Sequence, residues 1–264
     1  MSKTNEVHDA FTGTAYYYAQ YRPGVPEDVV NYLRDRFHLD GTGVLLDMGC
    51  GTGLSTIAVA PLFARCVAFD TSSEMLDQAR AKAPTGAQIE WQQRSDKDVS
   101  PDEGPYRLAM ACRSFNWMDQ YPLLDKLHAI VSPGGGIALI GDGSFWTGEE
   151  PWQETVRSVI RKFLGQDRRA GKKKYDAPTE PYTSMLNNSG YHDVQYRDVP
   201  VSRAWTVDSI IGYLYSTSFS ARHLYGDNVA EFEAMMRNRL LELSHGVDRF
   251  VENAQFVVQS GMQE

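Results

Sequence analysis

Nine consecutive residues, Leu45-Leu46-Asp47-Met48-Gly49-Cys50-Gly51-Thr52-Gly53, restrict the fold of this chain more than any other stretch. The apolar run Val44-Leu45-Leu46 reads as a short buried strand that ends at Asp47. Glycines then take alternate positions, and a helical pattern starts at once with Leu54, Ile57, Ala58, Pro61 and Leu62. A strand, glycine turn and helix in this order lets backbone approach a ligand closely, because glycine has no Cβ and accepts positive φ. Spacing separates the candidate ligands. A dinucleotide fingerprint needs Gly-x-Gly-x-x-Gly, but here the third glycine comes one residue early and position 54 is Leu54. A phosphate loop needs Gly-Lys-Ser/Thr, and no lysine follows.

A second apolar strand, Cys66-Val67-Ala68-Phe69-Asp70, again ends in an acid. In doubly wound α/β folds an acid at the tip of the second strand can take both ribose hydroxyls, so Asp70 is a candidate nucleoside ligand. The competing reading makes Asp70 a helix cap ahead of Ser72-Ser73-Glu74-Met75. A third strand, Gln88 to Gln92, leads to Arg94-Ser95-Asp96, and a fourth, Tyr106 to Cys112, leads to Arg113-Ser114-Phe115-Asn116-Trp117.

Gly-x-Gly-x-Gly preceded by an acid resembles motif I of the class I S-adenosylmethionine (SAM) methyltransferases. The resemblance implies a doubly wound, mostly parallel seven-stranded α/β sheet with SAM as cofactor. It puts Asp47, Gly49, Gly51 and Gly53 in the cofactor turn, Asp70 on the ribose, Met75 on the adenine face, and Ser95 with Asp96 at the adenine edge. Cys112, ending the fourth strand, joins the same cofactor set. Plain core packing for Met75 and a solvated acidic loop around Asp96, Asp98 and Asp102 remain open beside those roles.

The stretch Tyr16-Tyr17-Tyr18-Ala19-Gln20-Tyr21-Arg22-Pro23 resembles the start of small-molecule methyltransferases of the trans-aconitate methyltransferase kind. Tyrosines on an N-terminal segment can cover a sulfonium, a cation–π contact worth roughly 0.5–2 kcal/mol. Tyr21 and Arg22 are accordingly expected at the cofactor, with Arg22 pairing the methionyl carboxylate. Tyr17 and Tyr18 are expected toward the acceptor. An aromatic staple that merely packs the segment down is the alternative. Relatives of this kind usually carry an acid at the second position of the fourth strand and His-Trp at its end. This chain has Arg107 and Asn116 there, so the obvious general base is missing.

Three regions are expected: a lid over residues 1–25, a SAM-binding core over 26–144, and a helical cap with the last strands over 145–264. Strand and helix alternate up to a fifth strand, Gly136 to Ile140, after the break Ser132-Pro133-Gly134-Gly135. Beyond Phe145, helices are expected over 150–164, 181–189, 207–215 and 227–244, with strands over 192–203 and 254–260. Residues 165–177 read as a polar loop. Five cations fall within Arg168–Lys174, yet Gly171 and the flanking Asp167 and Asp176 favour a solvated loop. With a net charge of −8 over 264 residues, one short loop is a poor footprint for nucleic acid.

Three scattered cysteines read as reduced core thiols, and six histidines form no ligand cluster, so no metal is expected. No apolar run approaches the roughly 20 residues of a membrane span, and no secretory pattern opens the sequence. A cytoplasmic monomer or homodimer acting on a small molecule is the expectation, with no nucleic-acid or membrane partner.

Without a histidine base, a neutral amine is a better nucleophile than a hydroxyl. N-methylation of an amino sugar or aminoglycoside-like metabolite, as in antibiotic biosynthesis, is therefore the sequence expectation, drawn in by the acidic chain. Asp142, Asn116 and Tyr18 are its candidate catalytic groups, with Tyr17, Trp117 and His223 contacting the acceptor. Carboxyl- or O-methylation of a small acid or phenol is the alternative, and a non-catalytic SAM-binding regulator the alternative from another class.

Overall fold

A computed structural model describes residues 10–175 and 179–264 of the chain. The first nine residues of the expected lid, and Asp176, lie outside the described residues.

Seven strands make one sheet: β1 (Val44–Met48), β2 (Arg65–Asp70), β3 (Ile89–Gln93), β4 (Tyr106–Cys112), β5 (Val131–Asp142), β6 (His192–Trp205) and β7 (Phe250–Met262). Their spatial order is β3-β2-β1-β4-β5-β7-β6. The first five run parallel, and β7 lies antiparallel between β5 and β6. This is the doubly wound, mostly parallel sheet expected from the sequence. Strand order reverses between β1 and β4, which opens a crevice beyond their carboxyl ends.

The apolar runs of the central strands feed two faces because successive side chains alternate. Leu46, Val67 and Ala109 pack toward helices α5 (Gln120–Ile130) and α7 (Tyr182–Asn188). Leu45, Cys66 and Leu108 pack toward α2 (Glu27–Arg36) and Val59 of α3 (Leu54–Val59). Helix α2 starts after Pro26, carries Glu27 and Asp28 in its first turn, and ends on Arg34 and Arg36. Those charges complement the helix dipole, while Val29 and Leu33, one turn apart, are buried.

A separate aromatic core forms from α6 (Pro151–Leu164), α8 (Val207–Tyr215) and α9 (Val229–Leu243). Phe145 is its centre, meeting Trp152, Trp205 and Tyr213 at ring-centroid distances of 4.8, 5.0 and 4.1 Å. Both closing strands run longer than their alternation alone indicated, because each is a partner along the other's whole length, from Trp205↔Phe250 to His192↔Met262. The expected break at 132–135 is a bulge inside β5: the register steps from Tyr106↔Val131 to Leu108↔Gly136. Arg107, standing where relatives have an acid, fixes that bulge by donating to the carbonyls of Gly134 at 2.7 Å and Phe37 at 2.6 Å. The loop expected at 165–177 contains a small hairpin, Arg169–Ala170 against Lys173–Lys174.

Candidate functional site

Two adjoining cavities lie at the carboxyl ends of β1, β4 and β5. They share Phe11, Arg113, Ser114 and Trp117 as a common wall. Phe11 and Trp117 meet edge to face at 5.5 Å between ring centroids.

The first cavity is made by the ends of β1 to β4. Gly49 and Gly51 form its floor, both at positive φ. A Cβ on Gly49 would come within 2.6 Å of the Ser114 Cβ, whereas one on Gly51 would project into open space within the cavity. Gly53 does not reach the cavity. It is the left-handed residue that starts α3, and a Cβ there would strike the Trp91 ring at 2.7 Å. Asp47 also stays behind the turn, fully buried, with Oδ2 accepting from the hydroxyls of Thr56 at 2.6 Å and Ser55 at 3.1 Å. Burial pushes its carboxyl up to about 6, and Oδ1 has no hydrogen-bond partner.

Asp70 lines this cavity and also holds the turn together. Its Oδ2 accepts from the Gly51 amide and its Oδ1 from the Ser72 amide, both at 2.9 Å. Burial raises its carboxyl above the usual range, against the pull of those amides. The cap of α4 (Ser73–Lys82) is Ser72, whose hydroxyl accepts from the Met75 amide. Met75, Ser95, Asp96, Cys112 and Tyr18 line the same cavity. Burial pushes the Cys112 thiol up to about 12, so it stays neutral.

The second cavity is walled by β4, β5, β7, the 168–175 hairpin and the segment after α8. Asn116 and Trp117 face it from the 3-10 turn Phe115–Trp117. Apolar and polar side chains share its lining about equally, and three guanidinium groups enter it: Arg22, Arg113 and Arg168. Among the described residues, Arg113 alone of the three has a carboxylate partner. It grips Asp142 with two donors, at 2.6 and 2.9 Å, and Arg203 adds a third donor to Asp142 at 3.0 Å. Although burial alone would raise it, these arginines hold the Asp142 carboxyl below its ordinary range.

Arg22 and Arg168 have no such neutralisation among the described residues. Arg22 lies over the Tyr18 and Tyr213 rings, at 5.0 and 4.7 Å, and its guanidinium donates to the Tyr213 hydroxyl at 3.4 Å. Arg168 stacks on Tyr175 at 4.0 Å and Phe219 at 5.5 Å. The Nε of each is buried without a hydrogen-bond partner. Burial, with nearby Arg22 adding repulsion, pushes the Arg168 pKa down.

Several sequence expectations are corrected here. Arg22 faces the second cavity rather than the first, because α1 (Ala15–Tyr21) ends just before it and turns the chain past Tyr213. Tyr17 and Tyr21 line neither cavity. They staple α1 onto the cap, Tyr17 against Tyr215 at 5.1 Å and Tyr21 against Gly212, where no Cβ would fit. His223 sits exposed on the 3-10 stretch Arg222–Asn228, away from both cavities. Asp142 is not available as an anchor or base, being consumed by two arginines. Arg168 is not a solvated loop residue, although Lys174 of the same hairpin does pair with Asp167 in the open, at 3.1 Å. Phe11 and Arg168 were not singled out by the sequence. Nothing local marks them, since a lone aromatic and one cation among five look ordinary.

Residues 45–135 match the family described as a methyltransferase domain. An uncharacterized methyltransferase-like protein of Schizosaccharomyces pombe is 23% identical over 209 residues, 76% of this chain and 75% of its own. Trans-aconitate 2-methyltransferase of Azoarcus sp. is 36% identical over 110 residues, 40% of this chain and 42% of that enzyme. Among solved structures, a putative type II methyltransferase from Anaeromyxobacter dehalogenans superposes with a TM-score of 0.61 at 19% identity, covering 92% of this chain and 98% of that one. The fold is that of the Rossmann-like methyltransferases. With its domain match and its named relatives, the chain is a class I SAM-dependent methyltransferase, and SAM is its cofactor. Among the described residues there is no cluster of metal-ligating side chains and no helix long and apolar enough to cross a membrane.

Proposed function

We propose that this enzyme methylates a carboxylate of a small organic acid, giving a methyl ester. The carrying observation is the pair Arg22 and Arg168, two half-buried guanidinium groups, each with a buried Nε that has no hydrogen-bond partner and, among the described residues, no carboxylate partner, that face the cavity next to the cofactor site. Burying an uncompensated charge is costly, and an anionic ligand offsets that cost. Guanidinium also fits carboxylate in a two-point fork.

The first cavity fits SAM. Gly51 leaves open space where a Cβ would stand, and Asp70 offers buried carboxylate oxygens at the tip of β2. In this reading Gly49 and Gly51 cradle the amino-acid part, Asp70 takes the ribose hydroxyls, and Met75 with Ser95 and Asp96 surrounds the adenine. Tyr18 and the Phe11–Trp117 pair close the site against water. SAM supplies, when bound, a methyl group activated by a sulfonium.

Proton balance favours the acid. Among the described residues no histidine and no unpaired carboxylate lines the second cavity, and burial pushes the Tyr182 phenol up to about 12. A carboxylate is already ionised near neutral pH and attacks without a base. An amine of the amino-sugar kind would enter as an ammonium, meet two guanidinium groups, and find no group to take its proton. A phenol would face the same lack. The relative named trans-aconitate 2-methyltransferase acts, by its name, on an acid, which supports the same choice.

Incubation with methyl-labelled SAM and a panel of mono-, di- and tricarboxylic acids, amino sugars and phenols tests the proposal. The label should appear only with acids and should be released as methanol by mild alkali. Alkali-stable label on an amine or a phenol would overturn it.

A further inference from the structure

The 168–175 hairpin lines one ligand site and packs against the chain segment that leads into the other. Its first residue, Arg168, lines the acceptor cavity, and the Tyr175 amide donates back to the Arg168 carbonyl at 2.8 Å to close the hairpin. Its turn residue, Gly171, is anchored by its amide to the Ser218 carbonyl at 2.7 Å, and Ser218 is itself an acceptor-cavity residue. Gly171 has φ +62°, and a Cβ on it would come within 2.9 Å of the Ala10 Cα. Ala10 is fully buried under that turn. The next two residues, Phe11 and Thr12, line the cofactor cavity. The hairpin therefore presses on the backbone of the segment that roofs the cofactor site while holding a guanidinium in the acceptor site.

Resting on the carboxylate reading above, we propose that Arg168 is a specificity-determining residue that reads the acceptor's anionic group, and that its hairpin couples acid binding to retention of the cofactor through Ala10. An acid that pairs with Arg168 fixes the hairpin, the fixed hairpin holds Ala10, and Ala10 keeps Phe11 and Thr12 over the cofactor cavity. Coupling of this kind is reciprocal, so the cofactor must tighten the acid by the same factor. Gly171 is required because only a residue without Cβ packs this close to Ala10 at a left-handed φ.

The test measures S-adenosylhomocysteine affinity by calorimetry, alone and with each acid of the panel at high concentration. The acid that wild type methylates fastest should tighten S-adenosylhomocysteine by about five-fold or more. In Arg168→Gln that tightening should vanish and the KM for the acid should rise about ten-fold or more, while S-adenosylhomocysteine alone binds within about two-fold of wild type. Arg168→Lys, which keeps the charge, should recover part of both effects. Gly171→Ala, which keeps Arg168, should lose the tightening. If Arg168→Gln leaves the acid's KM unchanged, or if the tightening survives in either Arg168→Gln or Gly171→Ala, the coupling proposal is overturned while the carboxylate reading stands. If no acid is methylated and none alters S-adenosylhomocysteine binding, the carboxylate reading falls and takes this proposal with it.

Discussion

The two cavities are built by opposite strategies. Most of the cofactor side comes from residues near in sequence: Gly49, Gly51, Asp70, Met75 and Ser95–Asp96 follow one another along the first half of the sheet. The acceptor side gathers Arg22, Arg113, Asn116, Arg168, Ser218 and Gln259 from across the chain. In the first, charge is satisfied by backbone amides, as where Gly51 and Ser72 donate to Asp70. In the second, charge is balanced by distant side chains or, at Arg22 and Arg168, meets no carboxylate among the described residues. A cofactor shared by many enzymes suits a local motif, while an acceptor site is defined by how a cap docks.

The largest expected effect lies in the ion pairs that hold the acceptor side together. Asp142→Ala would leave Arg113, whose side chain is 11% exposed, without its buried partner. Breaking such a pair typically costs about 3–5 kcal/mol, read as a large fall in the denaturation midpoint. The substitution should also release Arg113 from the lid, since the same guanidinium donates to the Pro23 carbonyl at 3.1 Å. A near-neutral result would mean that the acceptor wall is not braced by this network.

A comparable effect of opposite sign is expected behind the cofactor turn. The Asp47 carboxyl is raised from an ordinary 3.8 to about 6, so the folded state binds its proton more tightly than the unfolded chain does. Its contribution to stability is therefore fully present below pH 3.8 and is lost as the pH rises through about 6. Asp47→Asn should flatten that decline and be more stable than wild type above pH 6, by up to roughly 3 kcal/mol, in ligand-free protein. Parallel stability–pH curves for the two proteins would contradict the burial account.

How much of this was legible in the sequence follows the same division. Gly49, Gly51 and Asp70 were readable because each lies at a strand tip fixed by local pattern. The sheet was readable for the same reason, strand alternating with helix up to β5. Asp142 was misread because its partners are 29 and 61 residues away, and no local pattern announces a triple arginine–carboxylate contact. Tyr17 and Tyr21 looked like ligand residues because an aromatic cluster reads alike whether it covers a cation or staples a helix. Arg22 lines the second cavity rather than the first, which the sequence did not foretell because the turn after α1 depends on the packing of Tyr21 against Gly212. Net charge pointed another way: a chain of −8 implied a negative acceptor field, whereas Arg22 and Arg168 line the second cavity without a carboxylate partner among the described residues.

Smaller effects sharpen the division further. Asp70→Ala should weaken S-adenosylhomocysteine by about 1.5–3 kcal/mol, the range for a hydrogen bond to a charged group, and leave the acid's KM near wild type once SAM is saturating. Loss confined to the acid's KM would put Asp70 on the other side of the wall. Asn116→Ala should do the reverse on a lesser scale. It removes a neutral side chain from the acceptor cavity, so the acid's KM should rise by about 0.5–1.5 kcal/mol while S-adenosylhomocysteine binding is unmoved.

Arg22 divides the alternatives most directly, because the sequence expected it at the methionyl carboxylate while it lines the second cavity. Calorimetric titration of S-adenosylhomocysteine into Arg22→Gln therefore tests the separation of the two sites. The account predicts an affinity within about two-fold of wild type, since no ion pair to the cofactor is lost. A loss of about ten-fold or more, the cost of removing a charge-assisted contact to the cofactor carboxylate, would contradict it.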